Sequence, residues 1–175
     1  MRRTLPLLSG SSFLLLAMGC GYHTLGSAAH IPEDVHTIAV PFFQNRTQFS
    51  RTEVTLTQAT VNELNTRTKF RVLPREDAGD ADAVLKGTVL SETIVPYTYN
   101  VTTGQSSSYM ITLTASVSLT DRDGRVLYQH DGYTFHQQYE ATSDLSTFVQ
   151  EDSPAMGRLS RDFAQSLVSD MLESF

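Results

Sequence analysis

Cys20 is the one cysteine of this 175-residue chain, and its neighbours give the sulfur a specific chemistry. Arg2 and Arg3 precede an apolar run from Leu5 to Met18, interrupted by Pro6 and Gly10, that closes on Ala17-Met18-Gly19-Cys20. A basic head, an apolar stretch and small residues in that order make a secretory signal peptide. A cysteine at the cleavage position is where bacterial lipoproteins are cut and then acylated on the sulfur and the new amino group. The pattern predicts removal of residues 1–19 and lipid attachment at Cys20. The apolar run is too short and too broken to span about 30 Å of hydrocarbon.

Other reactive side chains do not assemble. His23, His30, His36, His130 and His136 lack metal-ligand spacing. His130 and His136, six apart on one predicted strand, share a face at about 20 Å. Asp121 and Asp123 before Gly124 match only part of a calcium loop, and a hairpin turn explains them better. No serine occupies a G-x-S-x-G elbow, and no glycine-rich loop leads a helix. The expectation is a protein that is not an enzyme and uses no metal or cofactor.

Positive charge is sparse and concentrated at Arg67, Lys69, Arg71, Arg75 and Lys86. Those residues complement a helix C-terminus and guard an edge strand, and they are also the one candidate anion site. Without residues 1–19 the chain keeps 11 basic residues (13 less Arg2 and Arg3) against 19 acidic ones, a net charge of −8. That balance excludes a phosphate-neutralising nucleic-acid surface. The remaining 156 residues (175 less 19) suit one domain with one core.

The elements that position these groups follow from periodicity. Residues 20–35 read as a lipidated tether and 36–175 as a single domain. From His36 the chain turns β, with Ile38, Val40 and Phe42 alternating against Thr37, Ala39 and Pro41. Ser50 and Glu53 stand in capping-box relation, with Phe49 and Val54 as a hydrophobic staple. Leu56, Thr60 and Leu64 then mark one helix face. A strand at 70–73 and a long β segment at 83–99 follow. Tyr109, Ile111, Leu113, Ala115, Val117 and Leu119 alternate with polar residues, which predicts a strand with one buried face. A tight turn at 121–124 returns the chain through 126–139, where Gly132 predicts a bulge. Ser153 and Pro154 look like a helix start, and Met156, Leu159, Phe163, Leu167 and Met171 form its apolar stripe. The fold class is α+β: two helices on one face of a mixed, mostly antiparallel sheet of about four strands. Between them, Tyr97 to Ser108 reads as a long uncharged loop, mobile or buried against a partner.

These residues resemble the LptE family of lipopolysaccharide-assembly lipoproteins. Cys20-Gly21-Tyr22-His23 is similar to its opening, and Leu85-Lys86-Gly87 to its strand with a leucine-x-glycine core. Thr103-Gly104-Gln105, the Asp123-Gly124-Arg125 hairpin and the closing helix fall in the family's order. The resemblance implies a protein of the outer membrane, anchored by lipid and facing the periplasm. It implies a plug inside an LptD-type β-barrel that helps the barrel assemble and pass lipopolysaccharide to the cell surface. Tyr97, Tyr99, Thr103, Gly104, Gln105 and Tyr109 are the implied partner-binding residues. Family members also bind lipopolysaccharide through basic residues near strand tips, but residues 87–121 and 126–157 contain no Lys or Arg. Any lipopolysaccharide contact falls to the Arg67–Lys86 cluster instead. The Ile38–Thr47 segment also looks like the opening of lipoproteins that activate peptidoglycan synthases or form curli-type secretion assemblies.

Overall fold

The computed structural model describes residues 31–73 and 81–140, the backbone of 145–153, and 154–173 in full. The elements are β1 (Thr37–Ala39), β2 (Gln44–Asn45), α1 (Thr52–Arg67), β3 (Arg71–Leu73), β4 (Ala83–Tyr99), β5 (Ser106–Asp121), β6 (Val126–Glu140) and α2 (Leu145–Glu173). The sheet has six strands rather than about four, in the order β3-β1-β4-β5-β6, with β2 also on β4. The difference arises because the first β segment splits into β1 and β2, and the segments at 83–99 and 109–119 are two full strands of one hairpin rather than a single bent strand. The short strands pair in parallel, whereas β4, β5 and β6 form a long antiparallel meander.

The split has a packing cause. Alternation through Phe42 places that ring in the core, yet Phe42 is 66% exposed and Phe43 only 3%. The strand ends at Ala39, and Thr57 Oγ1 accepts a hydrogen bond from Phe43 N at 3.0 Å, which turns the next ring inward. That ring lies over Gly87, where a Cβ would stand 2.6 Å from it. Glycine in the middle of β4 is therefore a close-approach device. Phe43 then meets Phe163 of α2 edge-on at 6.2 Å.

The buried stripes expected from periodicity are present. Leu56, Thr60 and Leu64 of α1 are fully buried, as are Leu159, Phe163 and Leu167 of α2. They face Ile111, Leu113, Ala115 and Leu119, which are also fully buried. The alternate residues Thr112, Thr114, Ser116 and Ser118 lie half-buried on the open face. Ile31 and Val35, in the stretch read as tether, belong to the core cluster.

Two helix starts differ from expectation. The capping box at Ser50 does not form; Arg51 holds the N-cap position at φ 75° without a side-chain cap. Asn45 has taken Glu53 instead, its Nδ2 donating to the carboxylate at 2.7 Å. The last helix begins at Leu145, so Ser153 and Pro154 lie inside it. Proline forfeits a main-chain bond there, a loss that the long buried face from Ala155 to Leu172 offsets.

Candidate functional site

The surface that stands out is an arm built by the far ends of β4 and β5. The segment read as a loop from Tyr97 to Ser108 is instead a hairpin tip: Thr98 pairs with Ser108 and Tyr99 with Ser106. Asn100 closes the turn, its Oδ1 accepting from Thr102 N at 2.9 Å and Thr103 N at 3.1 Å. Gly104 supplies the left-handed conformation at φ 69°. A side chain that satisfies the turn's own amides removes the need for a longer connection.

The expected partner-binding residues therefore separate by role. Tyr97 and Tyr99 are more than half exposed. Thr103, Gly104 and Gln105 are exposed at the tip. Tyr109 is half-buried and stacked on Tyr139 at 5.6 Å, so it stiffens the base of the tip. No charged residue occurs from Thr93 to Thr120. Hydroxyls bond among themselves instead: Thr98 with Ser107 and Ser108, and Thr114 with Thr134.

The described cations do not converge. Arg67 is committed to the helix pair, donating from Nη1 to Ser169 Oγ at 2.7 Å and bridging Glu63 at 3.5 Å. Lys69 and Arg71 are exposed at the β3 edge, whereas Lys86 projects from β4 opposite Ser118 on the open face. Arg75 lies outside the described residues, as does Cys20. The two histidines do not share a face either. A bulge sets Asp131 and Gly132 against Ser116, and this puts His130 opposite buried Val117 and His136 opposite Thr112. The glycine signal for the bulge holds; the extra residue reverses the side-chain phase.

Three polar centres are structural, and periodicity does not announce them. Asp82 Oδ2 accepts from His36 N, Thr37 N and Thr37 Oγ1 at 2.8–2.9 Å, while Arg122 donates to Oδ1 at 3.3 Å. The His36 amide, then the Thr37 hydroxyl and amide, hold its carboxyl below the ordinary carboxylate range. At the same centre, where Ala83 pairs with Asp121 and Arg122 N donates to Asp82 O, burial works against ionisation of Asp121. Bonds from the Arg125 backbone and side chain, with its positive charge, outweigh that and lower the pKa. Tyr133 donates to Asp170 of α2 and bonds to Tyr128. Burial, followed by the hydrogen bond to Asp170, pushes its phenol well above the usual range.

Glu92 is the third centre, 9% exposed and accepting from Thr52 Oγ1 at 2.7 Å. It borders a cleft of about 700 Å³ with Phe49, Val54, Ile94 and Met156. A phase change is its one sequence signal: buried positions are Ala83, Leu85, Gly87 and Val89, then Glu92, because a bulge intervenes at Leu90. Among the described residues no group of three His, Cys, Asp or Glu side chains could hold a metal ion. Nor is any described helix long and apolar enough to cross a membrane.

Fold and surface define a class: a two-layer α+β domain that presents a stiff, uncharged β-arm. The chain belongs to the LptE family, described as lipopolysaccharide-assembly, which matches residues 35–171. The fold is also that of lipoprotein B from Nitrosomonas europaea, at 9% identity over 87% of this chain and 90% of that one, TM-score 0.55. Rare lipoprotein B from Shewanella oneidensis is 12% identical over 77% and 95%, TM-score 0.51. Comparison with curated proteins finds no match for this chain.

Proposed function

We propose that this chain is an outer-membrane lipoprotein, acylated at Cys20, that plugs an LptD-type barrel and supports its assembly for lipopolysaccharide export. In this reading residues 1–19 are a cleaved signal, 20–35 carry the anchor toward the fold, and 36–175 act as the plug. The observation that carries the reading is the family match across residues 35–171. The uncharged arm supports it, since a barrel lumen is polar and hydrated and favours hydrogen-bonding contacts over greasy ones. Tyr97 and Tyr99 add rigid amphipathic contact area of the kind enriched at interfaces. The dispersed cations argue for a role in which the plug shapes the barrel more than it grips phosphate. Purification of the tagged full-length protein from detergent-solubilised outer membranes is the test. Stoichiometric recovery of a large barrel protein is expected, and recovery of peptidoglycan synthases alone would replace this reading with the activator one.

A further inference from the structure

We propose that the outer edge of β6, from Tyr133 to Gln138, is a strand acceptor that takes an extended, basic segment of a partner polypeptide into the sheet. Among the described residues the sheet ends at β3, at β2, along β4 beyond β2, and at β6, and β2 is only two residues long. β3 is only three residues long, with Arg71 and nearby Lys69 exposed. β4 runs on to Tyr99 after its pairing with β2 stops at Val89, but Pro96 and three register breaks interrupt that stretch. Charge, short length, proline and bulges are the devices by which proteins block unwanted strand pairing.

Between the bulge at Asp131–Gly132 and the charge of Glu140, the β6 edge lacks these guards. Past the bulge, Tyr133 to Glu140 pair with β5 in eight consecutive positions without a break. No Pro, Lys or Arg occurs from Val126 to Ser153. The stretch is also held rigid from beneath, because Tyr133 and Phe135 each meet Phe163 edge-on, at 5.9 and 5.7 Å. A long, regular, preorganised edge is the geometry of strand addition, in which main-chain bonds give affinity and alternate side chains give selectivity.

Charge specifies the partner. The strand from Val126 to Glu140 contains Asp131 and Glu140 and no Lys or Arg. Asp131 and Glu140 are exposed and flank the acceptor stretch at either end. The added strand would carry Lys or Arg near its ends, polar residues beside Thr134 and His136, and apolar ones beside Phe135. This inference stands on the sheet edge alone and does not require the partner to be a barrel.

Amide exchange of the full-length lipoprotein, free and in the complex isolated from solubilised membranes, tests it. Peptides covering Tyr133–Gln138 are expected to exchange about tenfold or more slowly in the complex; equal rates would overturn the proposal. Slowing in the isolated protein as its concentration rises would also overturn it, in favour of a second copy. His136→Pro and Gln137→Pro form a matched pair, because successive amides point to opposite sides of a strand. The variant that keeps the parent melting temperature has its proline on the outer side and is expected to lose that protection. Retained protection in that variant would contradict strand addition. These outcomes are separable from the barrel reading, which is judged by the identity of the captured protein.

Discussion

Gly87 and Phe43 act as one unit, and the unit is measurable. A Cβ at position 87 would stand 2.6 Å from the Phe43 ring, which cannot move freely because it abuts Phe163. Gly87→Ala is expected to destabilise by about 1–3 kcal/mol through overpacking, read by denaturant unfolding. Much of that cost should vanish in the background of Phe43→Ala, whose coupling a double-mutant cycle reports. Asp82 makes a prediction in pH. Its folded pKa lies below the unfolded value, so its stabilisation is present above about pH 4 and fades as pH falls through the folded pKa. Asp82→Ala should therefore lower the melting temperature at pH 7 and do so less as pH falls below about 4. An equal drop throughout would show that the carboxylate charge is not responsible. The leucine-x-glycine stretch was legible as a motif, but its reason was not, because the ring that needs the space lies 44 positions away in sequence.

At the scale of elements, the helix stripes and the sheet alternation were legible because periodicity records burial directly. Phe163 is the keystone of that agreement: fully buried, and in edge contact with Phe43, Tyr133 and Phe135. Phe163→Ala should cost about 3–5 kcal/mol, and a melt shifted by only a degree or so would make α2 peripheral. What periodicity missed were places where side-chain bonds or strand pairing, which leave no periodic trace, set the local structure. Asn45 takes Glu53 from its capping box, Asn100 turns an expected loop into a hairpin tip, and the bulge at Asp131–Gly132 moves His130 and His136 to opposite faces. Periodicity records none of these: the Asn100 turn is made by short-range side-chain bonds, the Asn45–Glu53 bond spans eight residues, and the phase across the bulge is set by pairing with β5. Of the five cations near one another in sequence, the described ones lie apart: Arg67 bonds to α2, Lys69 and Arg71 sit at the β3 edge, and Lys86 projects from the open face of β4.

For the whole molecule, the sequence and the fold give complementary ends of one account. In the proposed function Cys20 carries the anchor, and Cys20→Ala is expected to abolish incorporation of labelled fatty acid; retained label would remove the acylation reading. In the same proposal the arm, free of charge from Thr93 to Thr120, is the docking surface, and family membership implies the kind of partner. The most direct measurement places a photo-crosslinking residue at Thr103 or Gln105, both exposed at the arm's tip, in living cells. The account predicts covalent capture of a large outer-membrane β-barrel from either position. Capture of peptidoglycan synthases alone, with no barrel from either position, would contradict it.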